Sequence, residues 1–93
     1  MRVVVVSSDL LMRSRVPEAT AVPPGAPLPE ADLYLIDLDE AGALEPPPGG
    51  RAIGYFSHVN EALGAEARAK GLEAWPRGRL LRELPRLLGE GSG

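Results

Sequence analysis

The stretch Ala31 to Glu40, ADLYLIDLDE, limits what this chain can fold into more than any other, because Leu33, Tyr34, Leu35, Ile36 and Leu38 run almost unbroken into Asp37, Asp39 and Glu40. A strand apolar on both faces belongs in a parallel sheet covered on each side, and ligands meet such sheets at the carboxyl ends of their strands. Asp37 stands at such an end. With 93 residues there is room for one small domain and one modest core.

Three further segments read as partners for this strand. Arg2 to Val6 is β-branched nearly throughout and forms a second central strand, closed by Ser7, Ser8 and Asp9. Ala52 to Phe56 supplies a third, followed by Ser57 and His58. Leu72 to Trp75 is a short final strand closed by Pro76, and Thr20 to Val22 reads as a short edge strand. Helices are expected at Leu10 to Arg15, with Asp9 as N-cap and Pro17 as the stop. A second runs from Glu61 to Lys70, between an Asn60 N-cap and a Gly71 C-terminal cap. Leu80, Leu81, Leu84, Leu87 and Leu88 repeat at helical spacing, which predicts a C-terminal amphipathic helix, with Pro85 delaying its start or kinking it near Leu81. The last residues, 89–93, read as a flexible tail.

Proline excludes helices elsewhere. Pro23 to Pro29 holds four prolines in seven residues, and Ala41 to Gly50 ends in three consecutive prolines followed by two glycines, leaving space for at most one turn. Nine residues of extended chain, Pro23 to Ala31, reach roughly 28 Å at about 3.1 Å each, enough for a crossover between parallel strands without a helix.

Composition removes several function classes. A net charge of -3 argues against a nucleic-acid partner, which meets a basic face. With no cysteine and one histidine, His58, disulfides, thiolate catalysis and Cys/His metal clusters are excluded. The N-terminal apolar run is too short for a signal peptide or a membrane span, so no membrane association and a cytoplasmic location are expected. Arginine outnumbers lysine nine to one and prolines number ten, a bias that occurs in thermophile proteins and also in GC-rich genomes.

The order of these elements and the residues at their ends resemble the receiver domain of two-component response regulators. VVVVSSDLLMRSR is similar to that family's first strand, acidic turn and first helix. ADLYLIDL is similar to the strand ending in the phosphoacceptor aspartate, which falls on Asp37. YFSHVNEALGAEARAKG is similar to the fourth strand with its hydroxyl residue, here Ser57, and the fourth helix. AWPRGRLLREL is similar to the fifth strand and helix, with Arg77 in the place of the family lysine. The resemblance implies a flavodoxin-like three-layer α/β fold with a parallel five-stranded sheet in the order 2-1-3-4-5, in which the second and third helices are reduced to proline-rich loops.

It implies a site as well: Asp37 as phosphoacceptor candidate, with Ser7, Ser8, Asp9, Ser57 and Arg77 around it at the carboxyl edge, and Asp9 and Asp37 as weak or absent Mg²⁺ ligands. The departures carry information. Ser7 and Ser8 stand where the family has two acidic residues that hold the cation, a hard ion needing carboxylate oxygens. Arg77 replaces a compact ammonium with a planar fork. A degenerate receiver that binds another protein without enzymatic activity is the expected function, a phosphoacceptor and a small-molecule binder being the alternatives.

Simpler roles compete at each residue. Asp37 caps the following turn equally well. Ser57 and His58 are adjacent, so on a strand they point to opposite faces and make a poor nucleophile and base. Arg77 and Arg79 pair with Asp37 or Asp9, or meet solvent; Asp39 and Glu40 are read as solvated, and Tyr55 and Trp75 as packing residues. With two helices trimmed from one face, and with Leu28 and Leu44 as the loops' apolar residues, the loops look too small to cover it. Burying about 400 Å² there would favour association by roughly 10 kcal/mol before association costs, so a homodimer or a protein partner on the face carrying alternate residues of Ala31 to Leu38 is expected.

Overall fold

Four valines in a row cannot expose one face and bury the other, and Val3–Val6 (β1) accordingly lies inside a sheet, with Val4, Val5 and Val6 all buried. The computed structural model describes residues 1–89. After β1 come Leu10–Arg15 (α1), Thr20–Val22 (β2), Leu33–Asp37 (β3), a single helical turn Leu38–Ala41 (α2), Arg51–Phe56 (β4), a 3-10 turn His58–Asn60, Glu61–Ala69 (α3), Glu73–Pro76 (β5) and Arg77–Leu87 (α4). The five strands form one all-parallel sheet in the order β2-β1-β3-β4-β5, a flavodoxin-like α/β arrangement.

Every residue of β3 is buried, as its unbroken apolar run requires. The period-two alternation divides the core into two layers. On one side Val5, Leu33, Leu35, Ile53, Tyr55 and Trp75 pack with Met12 of α1 and with Leu80 and Leu84 of α4. On the other, Val4, Val6, Tyr34, Ile36, Leu38 and Phe56 pack with Ala67 of α3. Two glycines make close approaches possible. A Cβ on Gly54 would stand 2.8 Å from the Leu38 side chain, and one on Gly64 would stand 2.5 Å from the Phe56 ring.

The proline-rich loops do more than cross over. Ala26, Leu28, Ala43 and Leu44 pack against the second layer, leaving Tyr34 and Ile36 at 2% and 0% exposure. The Tyr34 hydroxyl donates to the Pro29 carbonyl at 2.7 Å and accepts from the Ala31 amide at 3.1 Å, tying the first loop to β3. The expectation that these loops are too small for the face is therefore corrected: rigid extended chain covers a flat apolar sheet without a helix, and the argument for association through this face loses its basis.

Helix ends show where local rules hold and where they yield. The C-terminus of α3 closes with Gly71 at a φ of 92°, Gly71 N donating to Arg68 O and Leu72 N to Ala67 O, the pair of bonds by which glycine ends a helix. Asn60 occupies the α3 cap position but makes no side-chain cap bond. The delayed start is corrected: α4 begins directly after Pro76 and continues through Pro85, which lies inside it, to Leu87. Pro85 sits in the last turn, where few intrahelical bonds follow it. Of the expected tail, residues 90–93 lie outside the described residues. Among those described, no helix is long and apolar enough to cross a membrane.

Candidate functional site

Parallel strands deliver whatever follows them to one edge of the sheet. Ser7 follows β1, Asp37 ends β3, Ser57 follows β4 and Arg77 opens α4 directly after β5. Asp37 is the buried acid of this edge, 4% exposed. Its Oδ1 accepts from the Asp39 amide at 3.0 Å, capping α2, and its Oδ2 lies 3.2 Å from the Ser7 hydroxyl. Burial pushes the Asp37 carboxyl above its ordinary range; the Ser7 hydroxyl works against this, and the charges of Glu40 and Asp39 add to it.

Ser7 is shared. Its Oγ also lies 3.0 Å from Glu40 Oε1 and accepts from the Asp9 amide at 2.9 Å. A hydroxyl has one proton, so it serves Asp37 or Glu40 at a given moment. Glu40 is held besides by the Ser8 hydroxyl and by the Ser8 amide at 2.9 Å, and these bonds hold its pKa below the usual glutamate value. Asp39 accepts from the Ser57 amide at 3.0 Å and from Asn60 Nδ2 at 2.8 Å. Asp39 and Glu40 are both exposed, in keeping with the solvated reading, but the one-turn helix α2 also places them as two arms, one reaching the turn after β4 and one reaching the residues after β1.

The structure brings Ser7, Ser8, Asp9 and Asp37 into one hydrogen-bonded group, with Arg77 joined to it through Asp9. Arg77 is ion-paired with Asp9, which raises its already high pKa, and Asp37 is only a weaker electrostatic neighbour. Ser57 is drawn aside: its hydroxyl accepts from Asn60 at 3.2 Å and its amide faces Asp39. Arg79 bonds Glu83 at 3.0 Å and lies 4.1 Å from the centre of the Trp75 ring. His58 is exposed.

Three members of this edge were missed in the sequence: Glu40, Asn60 and Tyr55. Glu40 had a signal, because Asp37-Leu38-Asp39-Glu40 is a capping-box pattern, although here Glu40 reaches a neighbouring strand instead of its own cap. Tyr55, in register with Asp37, is 1% exposed and its hydroxyl has no hydrogen-bond partner among the described residues. Desolvation raises its pKa strongly.

The Mg²⁺ ligands that the resemblance implies do not fit the ion as placed. Asp9 is neutralised by Arg77, and both Asp37 oxygens face protein donors. No group of three or more His, Cys, Asp or Glu side chains among the described residues is arranged to hold a metal. Comparison of the chain with protein-family models, with curated proteins and with solved structures finds no match in any of the three.

Proposed function

We propose that this domain is a receiver-like signalling module that acts by binding another protein, without catalysis and without accepting a phosphoryl group. The observation that carries the reading is the closed bonding around Asp37. An acceptor carboxylate must be reachable, whereas Asp37 is buried, caps α2 and has both carboxylate oxygens turned to protein donors. The cation that would draw a phosphoryl group toward it, Arg77, is occupied by Asp9. The excess of Asp9, Asp37, Asp39 and Glu40 over Arg77 at this edge further disfavours polyanionic ligands, nucleic acid among them.

A second reading rests on one feature. A cleft of about 260 Å³ between the proline-rich loops, lined by Val6, Leu28, Ile36, Ala41 and Leu44, lies beside the carboxyl ends of β1 and β3, where the strand order reverses and such sheets bind ligands. Its lining is apolar, which suits a small hydrophobic molecule.

The discriminating experiment is titration with Mg²⁺ and beryllofluoride followed by NMR and thermal shift. The interaction reading expects no Mg²⁺-dependent response. A Mg²⁺-dependent stabilisation that disappears in Asp37→Asn overturns it in favour of a phosphoacceptor.

A further inference from the structure

We propose that the groove between α1 and the free edge of β2 docks an extended, acidic-apolar peptide segment of a partner protein. This deepens the interaction reading above by naming its surface and the chemistry of its occupant. The groove has a volume of about 550 Å³ and is walled by Leu10, Arg13, Val16, Pro17, Ala19 and Ala21.

Three independent features meet there. Leu10 is 73% exposed, one of only three large apolar residues left in solvent among those described; the other two are the terminal Met1 and Val59 of the 3-10 turn. With both sheet faces closed, an aliphatic side chain standing free beside the groove supplies the hydrophobic contact that such docking uses.

The two sheet edges are treated differently. At β5 the Arg68 guanidinium donates to the Ala74 carbonyl at 2.8 Å, and Pro76 ends the strand without a donor, both of which discourage further pairing. At β2 no charged side chain stands on the strand. Ser7 N bonds the Val22 carbonyl, so in a parallel ladder the groups of Val22 face β1 and those of Ala21 face outward. Ala21 thus offers an N–H and a C=O to an added strand at the groove wall.

Charge specifies the occupant. Arg13 and Arg15, both exposed in the last turn of α1, have no side-chain carboxylate partner among the described residues, in a chain whose net charge is -3. Arg51, Arg77, Arg79 and Arg86 are all ion-paired. A segment alternating aliphatic and acidic residues would place the former against Leu10 and Pro17 and the latter beside the two arginines.

The test is a ¹⁵N NMR titration of the intact protein with a short synthetic peptide alternating valine or leucine with aspartate, beside its lysine counterpart. Shift changes confined to residues 10–22 for the acidic peptide only, weakened about fivefold in Arg13→Glu/Arg15→Glu and also in Leu10→Ser, are expected. These side chains are exposed, so the variants retain the fold; Arg13→Gln/Arg15→Gln serves where charge reversal perturbs it. Equal binding of the lysine peptide, no shifts at roughly millimolar peptide, or shifts elsewhere overturn the proposal. So do concentration-dependent shifts of residues 10–22 in the protein alone, which would assign the groove to a second copy. A null titration removes this groove without bearing on Asp37, whose state the beryllofluoride experiment reads separately.

Discussion

The Arg77 guanidinium is ion-paired with the Asp9 carboxylate, joining the first residue of α4 to the residue before α1 across 68 positions of sequence. The contact holds two helix starts together at the carboxyl edge and commits the Arg77 guanidinium to Asp9, with Asp37 a weaker electrostatic neighbour. Both side chains are partly exposed, so solvent reduces its worth. Arg77→Ala and Asp9→Asn are each expected to lower unfolding free energy by about 1 kcal/mol, with a coupling of about 0.5 kcal/mol in a double-mutant cycle that shrinks with added salt. Additive losses in urea denaturation would show that the pair contributes nothing as a pair.

Asp37 predicts a pH dependence of definite sign. Its folded-state pKa is raised from 3.8, so its contribution is fully present below 3.8 and is lost as pH rises through the folded value. Glu40, whose pKa is lowered, acts in the opposite sense, so the measurement is a difference between wild type and Asp37→Asn. Asparagine can cap α2 through its carbonyl and offer its amide to Ser7, resembling the neutral acid. The variant is expected to match wild type at acid pH and to equal or exceed it in stability at neutral pH. A variant less stable at neutral pH than at acid pH, relative to wild type, contradicts a raised Asp37.

Gly54 is a packing position. Leu38 is fully buried beneath it, and an added methyl would meet Cδ1, Cδ2 and Cγ at 2.8 to 2.9 Å. Gly54→Ala is expected to cost about 1–3 kcal/mol by overpacking, with the damage seen as shift changes in α2 and in the Asp39 and Glu40 arms.

Asn60 acts as a strut between elements instead of a cap. Asn60→Ala removes its bonds to Asp39 and Ser57, at an expected cost of about 1 kcal/mol. Hydrogen exchange should quicken at Ser57 and in α2 while the α3 amides keep their protection. Fraying of α3 instead would show that capping is its role.

Closure of the sheet face by the proline-rich loops predicts a monomer at micromolar concentration by light scattering. Leu28→Asp/Leu44→Asp, which places charges against buried Tyr34 and Ile36, should destabilise the fold by several kcal/mol and expose dye-binding apolar surface. A wild-type dimer that dissociates in this variant would restore the association argument.

How much of this was legible in the chain itself varies with the range of the interaction. The unbroken apolar runs of β1, β3 and β4 determine a buried parallel sheet, because no other arrangement covers both faces of such strands. Proline spacing excludes long helices in Pro23 to Pro29 and in Ala41 to Gly50, since the ring removes a donor wherever it sits. Gly71 ends α3 because a φ of 92° suits glycine better than any other residue. Each of these follows from a residue and its immediate neighbours.

Only the tertiary structure decided where the side chains at the carboxyl edge point. Asn60 is a good cap by type, yet Asp39 stands close enough to take its amide; Asp39 and Glu40 look like solvated acids in sequence, yet one helical turn carries them to different strands. The choice of Asp9 over Asp37 by Arg77, and the covering of a whole sheet face by Leu28, Leu44 and their loops, likewise depend on how elements 20 to 70 residues apart are brought together. Hydrogen bonds and ion pairs at an edge are short-ranged and nearly equal in energy among competing partners. Distances of a few ångströms in the folded state choose between them, and a linear sequence does not contain those distances.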